Sequence, residues 1–194
     1  KIRAEITTDD IDFNIQRLGL WLKYNQKSAI SKTEWESLAI ASKPKLKGEL
    51  FVGVKYGHDG QHVAMSVASK TNEGKIFVEA LDCRTIREGN DWILSYIAEM
   101  KPKTVVADGA NGQHILEKDM KDAKMKAPTL PTVKEIIGAN ATFEQGLFKG
   151  NICHSNQASL TQSVSNSEKR AIGSNGGFGY RSLKEGVEIA LLDS

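Results

Sequence analysis

Residues 104–109 read Thr-Val-Val-Ala-Asp-Gly, an apolar, β-branched run that ends in one carboxylate and is followed at once by glycine. β-Branched residues favour a strand. An ionised aspartate is poorly placed at the buried end of a strand unless something there needs negative charge. In open sheets with parallel strands, functional sites gather at the carboxyl ends of the strands. Asp108 is therefore the first candidate site residue, as a metal ligand at a strand terminus.

Two further positions belong to the same pattern, far away in the sequence. Asp193 closes the apolar run of residues 187–193. A third ligand is expected near the end of the strand predicted over residues 50–56, but the residue there is Lys55. A lysine ammonium does not bind a metal, although it can replace some of a metal's charge or contact a phosphate. Asp59, four residues further on in a glycine-rich turn, can direct a carboxylate toward the same place. Three such carboxylates are what a divalent-metal phosphodiesterase site requires.

Each of these acids also has an ordinary structural interpretation. Asp108 begins an Asp-Gly-Ala-Asn-Gly sequence, which is typical of an Asx-turn or a helix cap. Asp193 fits the solvated side of an amphipathic helix, and Asp59 fits a hairpin turn. Glu79 lies on a predicted strand and is either an accessory ligand or a solvent-facing residue. The sequence leaves both interpretations open for all four acids.

The composition is that of a globular protein with a sizeable core. The 194 residues are 40% hydrophobic and 26% charged, and the formal net charge of +2 neither demands nor excludes a nucleic-acid partner. Cys83 and Cys153 have no metal-binding or disulfide spacing, which favours a reducing cytosol. The polar N-terminus does not resemble a signal peptide, and no apolar run approaches the ~20 residues of a membrane span.

The first part of the chain is expected to be helical and separate from the rest. Apolar spacing predicts a helix over residues 9–24 and a short helix over residues 33–41, with Thr33 as its cap. Residues 43–48 are basic and are bounded by proline and glycine, so they break the pattern. We therefore divide the chain into a helical linker segment and a main domain, residues 1–47 and 48–194.

The main domain is predicted to begin with an antiparallel meander. Its three strands are joined by turns of hairpin chemistry and cover residues 50–56, 62–69 and 75–82. Helices and strands then alternate, at residues 85–100, 104–107, 113–123, 128–133, 134–147, 151–153 and 158–164. A strand–helix–strand order implies parallel pairing. The predicted fold class is α/β, with a mixed sheet in which the meander continues into parallel strands and helices cover both faces.

The C-terminal part combines a glycine-rich hairpin with a final helix. Residues 169–173 and 179–181 are expected to pair, and the final helix is expected to begin near residue 182. The basic residues beside the hairpin suit a segment that lies on a nucleic-acid backbone, and they equally suit an ordinary surface loop; they are Lys169, Arg170, Arg181 and Lys184. Residues 185–194 lack a closing glycine or a basic last turn, which predicts a C-terminally truncated fragment. No Gly-Lys-Ser/Thr phosphate loop occurs.

In order and spacing, these segments resemble the C-terminal nuclease domain of tailed-phage terminase large subunits over nearly the whole chain. Residues 13–21 together with Trp35 resemble the segment that joins the ATPase half to the nuclease half. Residues 51–54 (Phe-Val-Gly-Val) and the glycine-rich turn after them resemble the first hairpin. Residues 105–109 (Val-Val-Ala-Asp-Gly) match the second acidic motif, and residues 189–194 (Ile-Ala-Leu-Leu-Asp-Ser) match the third.

The resemblance implies an RNase H-like fold and a metal-dependent endonuclease that cuts concatemeric double-stranded DNA, with two Mg²⁺ or Mn²⁺ ions held by three carboxylates. Asp108 and Asp193 carry over directly, whereas Lys55 stands where the family has its first aspartate. Either Asp59 serves instead, or one ion is held weakly, or the activity is lost or modified. The alternatives are an inactive DNA-binding and assembly module of the same fold, or a resolvase or RNase H-type nuclease.

The resemblance also implies partners for the full protein. These are an ATPase domain, a small terminase subunit and a portal, in the cytoplasm of the host and transiently at the procapsid.

Overall fold

The computed structural model describes residues 28–174, 176–184 and 187–194. A five-stranded sheet has the order β4-β1-β2-β3-β5, and its strands are β1 (Phe51–Tyr56), β2 (His62–Lys70), β3 (Ile76–Thr85), β4 (Thr104–Asp108) and β5 (Ile152–His154). A separate hairpin consists of β6 (Ser167–Ile172) and β7 (Gly177–Ser182). The helices are α1 (Lys32–Glu36), α2 (Asp91–Met100), α3 (Gln113–Asp122), α4 (Val133–Phe148), α5 (Ala158–Ser165) and α6 (Ala190–Asp193).

The pairing of the strands confirms the predicted mixed sheet. β1, β2 and β3 form an antiparallel meander, β4 runs parallel to β1, and β5 runs parallel to β3. The predicted glycine-rich hairpin is present as the antiparallel pair β6–β7. Because β4 and β1 are parallel, their carboxyl ends meet at one edge of the sheet.

Apolar side chains are buried on both faces of the sheet. On one face, Val52, Val54 and Tyr56 of β1 pack with residues of α2 and α3 such as Ile93 and Leu116. On the other face, a second cluster joins residues of α1, α4, α5 and α6: Trp35, Leu147, Leu160, Val164, Ala190 and Leu191. The alternation of side chains along β1 leaves Lys55 on this second face. None of the helices among the described residues is both long and apolar enough to cross a membrane.

Three predicted elements of the main domain differ from the structure, each for a local reason. The helix expected over residues 85–100 is divided at Gly89, which has a φ of +73° and separates a short 3₁₀ turn from α2. The strand expected over residues 128–133 is a single bridge between Thr129 and Val106, because Pro128 and Pro131 have no N–H to donate to a ladder.

The third difference concerns the end of the chain. Among the described residues of the predicted C-terminal helix, only Ala190–Asp193 is helical. A carboxylate oxygen of Glu188, Oε1, accepts hydrogen bonds from the N–H groups of Ile189 and Ala190, at 2.8 Å and 2.7 Å. These bonds satisfy N–H groups that the first turn of α6 leaves unpaired, so the helix begins after Glu188.

The described part of the predicted linker segment packs against the main sheet. Trp35 is 1% exposed, stacks on His154 with ring centroids 3.8 Å apart, and donates from Nε1 to the hydroxyl of Thr161. Its helix is capped by Ser31 with Glu34 in a capping box, rather than by Thr33 as predicted, and it ends at Glu36 rather than at residue 41. The helix predicted over residues 9–24 lies outside the described residues, and the proposed division into two domains stays a prediction.

The turn after β4 fixes the direction in which Asp108 is presented. Gly109 has a φ of +106°, and a Cβ at this position would overlap the carbonyl oxygen of Tyr56. A Cβ at Gly112 would overlap the ring of the same tyrosine. The two glycines therefore let the chain leave β4 in close contact with the end of β1.

We predict that Gly109→Ala lowers the free energy of unfolding by at least about 2 kcal/mol, because it adds both backbone strain and a clash with the backbone. The matched control is Gly138→Ala in α4, where a Cβ has no neighbour within 4 Å. Alanine should stabilise that helix by about 1 kcal/mol. Urea unfolding of both variants measures the difference, and equal effects would refute the role of Gly109.

A second prediction concerns pH and His154, which is 1% exposed. Its Nε2–H donates to the carbonyl of Trp35 at 2.9 Å, and its Nδ1 accepts from the N–H of Asn156 at 3.0 Å. Burial lowers the pKa of His154, with partial compensation by the bond to Trp35. The unfolded chain therefore binds a proton near pH 6.5 that the folded chain does not bind.

The contribution of His154 to stability should accordingly be complete well above pH 6.5 and decrease as the pH falls below that value. Its share of the slope is at most about 1.4 kcal/mol per pH unit. Urea unfolding at pH 7.5 and pH 5.5 should show a smaller loss for His154→Gln than for the wild type. The same loss in both proteins would contradict the prediction.

Candidate active site

The register of the parallel pair β1–β4 places Lys55 directly beside Asp108. Both residues stand at the carboxyl ends of their strands, and both belong to the face of the sheet that carries α6. The side chain of Lys55 is only 8% exposed. A lysine on a buried β1 position is unusual unless it is paired, and here its Nζ forms an ion pair with Oδ2 of Asp108.

Asp193 reaches the same place from α6. The backbone of Ser194 lies so close to Gly53 of β1 that a Cβ there would overlap the Ser194 carbonyl. This contact brings the end of α6 onto the sheet beside Lys55. Oδ2 of Asp193 lies 3.8 Å from Nζ of Lys55. The fold therefore gathers Asp108 and Asp193 in one pocket, as the sequence predicted, and the lysine lies within ion-pair distance of both.

The three side chains form a partly buried charge cluster, with Asp108 24% exposed and Asp193 12% exposed. Burial raises the pKa of Asp193 to about 6, with a further contribution from the negative charge of Asp108, while the charge of Lys55 opposes the increase. Asp193 is thus a carboxylate whose ionisation depends on the cation beside it.

Arg170 and His58 lie at the edge of this pocket. Arg170 of β6 donates from Nη2 to Nε2 of His58 at 3.0 Å and from Nε to the carbonyl of Tyr180 at 3.1 Å. Desolvation and the charges of Lys55 and Arg170 lower the pKa of His58, so a neutral imidazole accepts this bond. The charge of Arg170 also acts on Asp193.

Tyr180 presents an unpaired hydroxyl to the same region. The residue is 2% exposed, and among the described residues its hydroxyl has no hydrogen-bond partner. Burial and the charges of Glu144 and Asp193 raise its pKa. A buried hydroxyl without a partner is costly, so a polar group that entered the pocket here would be stabilised.

Asp59 belongs to a different cluster from Asp108 and Asp193. Its Oδ1 accepts from the N–H groups of Gln61 and His62, at 2.8 Å and 3.2 Å, and its Oδ2 lies 2.5 Å from Nδ1 of His62. These bonds lower the pKa of Asp59 although burial opposes the decrease. Among the described residues, one group of three metal-ligating side chains has all its donor atoms within 4.8 Å of one another: Asp59, His62 and Glu188.

Neither His62 nor Glu188 is among the site residues predicted from the sequence. Glu188 falls inside the predicted final helix, and His62 has no metal-ligand spacing with another histidine. An acidic residue directly before an apolar run is a signal for the start of a helix. Glu188 fits this signal for a helix that begins at Ala190.

The remaining predicted site residues have partners of their own. Glu79 pairs with Lys43 at 2.5 Å, in the segment before β1. Of the four proposed DNA-binding residues, Lys169 pairs with Glu144 and Arg181 pairs with Glu168 at 2.6 Å. Lys184 is exposed after β7. Arg170 alone among the four is placed at the carboxylate pocket, and the DNA-binding role of the set stays a prediction.

An open groove of about 1280 Å³ runs beside the cluster. The cluster residues Lys55, Asp108 and Asp193 line it together with Arg170 and Tyr180. Its other walls come from β1, β4, α4 and the β6–β7 hairpin: Phe51, Val106, Ile136, Asn140, Ile172 and Gly179. Phe51 and Val106 are 45% and 37% exposed, so this part of the sheet is accessible.

The donor set between Asp108 and Asp193 does not fit a pair of divalent ions. Among the described residues, only two carboxylates are present there, and the ammonium of Lys55 lies within ion-pair distance of both and neutralises part of their charge. An ion bound to both carboxylates would lie within a few ångströms of the ammonium, which is unfavourable for two cations. The two-ion site implied by the resemblance is therefore not formed by these residues while Lys55 keeps this position.

Comparison with known proteins supports the fold. No family model matches the chain, and no curated protein matches it significantly. The large terminase of bacteriophage HK97 is 16% identical, with a TM-score of 0.64 over 95% of this chain and 46% of that one. The large terminase nuclease of thermophilic phage G20c with bound magnesium is 16% identical, with a TM-score of 0.56 over 87% and 94%. The nuclease domain of the Sf6 large terminase subunit is 14% identical, with a TM-score of 0.58 over 86% and 95%.

At these identities the comparison shows the fold alone. The chain has the mixed α/β, RNase H-like fold of phage large-terminase nuclease domains, which confirms the predicted fold class and the resemblance at that level. It spans 46% of the length of the HK97 protein. Other structures of the G20c and Sf6 nucleases carry cobalt, manganese or calcium.

We predict that Lys55→Met lowers the free energy of unfolding by about 2–4 kcal/mol, because it leaves Asp108 and Asp193 facing each other in a partly buried pocket. The matched control is Lys70→Met at the exposed end of β2, which should change stability by less than about 0.5 kcal/mol. The measurement is urea unfolding in a chelating buffer.

Adding Asp108→Asn to Lys55→Met should recover at least about 1 kcal/mol of the loss, because the uncompensated charge is removed. A Lys55→Met protein as stable as its control would show that the ion pair does not hold the pocket together.

Proposed function

We propose that this chain is the nuclease-fold domain of a viral DNA-packaging terminase, that it acts on double-stranded DNA, and that it cleaves phosphodiester bonds slowly. The single observation that supports slow cleavage is the position of the Lys55 ammonium between Asp108 and Asp193. Asp108 stands at the carboxyl end of β4, where such folds place their chemistry, and Asp193 reaches it from α6. The lysine satisfies them internally, so a divalent ion must compete with a tethered cation.

The groove supplies the features that a DNA backbone needs. Arg170 and Lys55 contribute cationic nitrogens to its wall, and the buried hydroxyl of Tyr180, which also lines it, has no hydrogen-bond partner among the described residues. Guanidinium and ammonium groups are the usual phosphate contacts of DNA-binding proteins. We therefore assign Arg170 to the orientation of a backbone phosphate beside Asp193, with Tyr180 as a second donor.

The proposal includes the role of this domain within a full terminase protein. There it would cut concatemeric DNA before and after packaging, in the host cytoplasm, next to an ATPase domain, a small terminase subunit and a portal. The required ion would be Mg²⁺ or Mn²⁺, because carboxylate oxygens suit these hard cations.

A second candidate is a DNA-binding and assembly module of the same fold without nuclease activity. The same ion pair favours it, because Lys55 already neutralises the charge with which Asp108 would attract a metal ion. The two candidates differ in one respect: the second predicts salt-sensitive DNA binding with no cleavage.

Cleavage of supercoiled plasmid in Mn²⁺ separates these candidates. We expect slow nicking by the wild type, no nicking by Asp193→Asn, and nicking by Lys55→Asp that is faster by about tenfold or more, equivalent to ~1.4 kcal/mol of barrier. The matched control for the last variant is Lys70→Asp, which introduces the same change at an exposed strand position and should behave as the wild type.

Equal nicking by the wild type and Asp193→Asn would contradict the proposed active site. No nicking by any variant, combined with DNA binding that weakens as salt increases, would favour the assembly module. Faster cleavage of branched DNA or of RNA–DNA hybrids than of plasmid would instead indicate a resolvase or RNase H-type enzyme.

A further inference from the structure

A second group of potential ligands lies beside the Lys55 pocket without any lysine or arginine in it. Asp59 stands in the β1–β2 turn, His62 begins β2, and Glu188 precedes α6. One donor atom from each lies within 4.8 Å of the other two. Within the described ranges, no lysine or arginine nitrogen lies within 4.0 Å of either carboxylate, and Nδ1 of His62 lies 2.5 Å from Oδ2 of Asp59.

Backbone hydrogen bonds hold one oxygen of each carboxylate and leave the other directed inward. Oδ1 of Asp59 accepts from the N–H groups of Gln61 and His62, while Oδ2 faces His62. Oε1 of Glu188 accepts from the first N–H groups of α6. Ligands that are oriented in this way by neighbouring groups bind metal ions more tightly than mobile ones.

Gly57 provides the room in which these carboxylates converge. A Cβ at this position would lie 2.5 Å from Oε2 of Glu188 and 2.8 Å from Oδ1 of Asp59. Any other residue at this position would therefore require at least one of the two carboxylates to shift. Two carboxylates that approach each other repel unless a proton or a cation lies between them, and this cradle is built so that they do approach.

The charge of the surroundings also fits one divalent ion. The cluster lies within electrostatic range of the Lys55 pocket, because the charge of Glu188 acts on Asp193 and the charge of Asp59 acts on His58 next to Lys55. The combined region holds four carboxylates and two cations: Asp59, Asp108, Glu188, Asp193, Lys55 and Arg170. Four negative and two positive charges leave a formal charge of −2. Lys55 and Arg170 together balance Asp108 and Asp193, so the deficit remains on the side of Asp59 and Glu188.

We propose that Asp59, His62 and Glu188 bind a single divalent transition-metal ion, with Mn²⁺ as its representative, beside the Lys55 ion pair and not within it. One imidazole nitrogen and two carboxylate oxygens suit Mn²⁺ and related ions better than Mg²⁺, which prefers oxygen ligands. Binding draws the three atoms together, because bonds of this kind are about 2.0–2.2 Å long. The use of the ion in DNA cleavage rests on the proposed function, whereas its binding does not.

The test is Mn²⁺ titration of the chain without DNA, with free Mn²⁺ followed by electron paramagnetic resonance. The wild type should bind one Mn²⁺. Glu188→Gln, which keeps the oxygen that accepts from α6, and His62→Ala should each weaken binding by at least about tenfold. Asp193→Asn should retain binding. The matched control is Asp82→Asn, a carboxylate that is bonded to Arg84, and it should bind as the wild type does.

Two results would overturn the site: a wild type that binds no Mn²⁺, or binding that survives Glu188→Gln and is lost in Asp193→Asn. Thermal unfolding of each variant confirms that it is folded before titration. Because DNA is absent, the outcome is independent of cleavage. A wild type that binds Mn²⁺ through Glu188 but never nicks plasmid would retain this site and refute the nuclease, and the reverse combination would refute only this site.

Discussion

The ammonium group of Lys55 allows two carboxylates from distant parts of the chain to share one pocket. Asp108 arrives at the end of β4 and Asp193 at the end of α6, and each would repel the other without a positive charge between them. A metal ion usually supplies that charge when carboxylates gather at the ends of strands. Here a side chain of the central strand supplies it. The local structure of β1, β4 and α6 depends on this internal ion pair.

For function, this means that the pocket of Asp108 and Asp193 can form without a metal ion. A metal-dependent site is formed fully only when its ion is bound, whereas a site with a tethered lysine is already neutralised. The second cluster, at Asp59, His62 and Glu188, lies where the lysine does not reach. Charge, rather than the number of acids, therefore decides which of the two neighbouring groups is available to an ion.

Much of this arrangement could be predicted from the sequence, because it depends on local patterns. β-Branched runs that end in Asp108 and Lys55 fix two adjacent strand ends, and hairpin turns fix the antiparallel meander. The ion pair between Lys55 and Asp108 follows from placing those strand ends together. The resemblance to terminase nucleases added the third element, because nothing local in residues 187–194 indicates where that helix packs.

The parts that could not be predicted depend on tertiary contacts. Glu188 ends a non-helical segment because it accepts from the first turn of α6, and an amphipathic pattern alone extends that helix too far. Asp59 turns toward His62 and Glu188 rather than toward Asp108 because two backbone N–H groups hold it there. The spacing of residues in the sequence indicates neither the start of α6 nor the orientation of Asp59. Both depend on which backbone N–H groups the fold leaves unpaired.

The most direct test of the central claim is a crystal structure of the wild type grown in Mn²⁺, with anomalous diffraction used to locate the metal. The account predicts Nζ of Lys55 within 4 Å of both Asp108 and Asp193, as found here, and no anomalous peak between those two carboxylates. A manganese peak that bridges Asp108 and Asp193, with the side chain of Lys55 turned away, would contradict it.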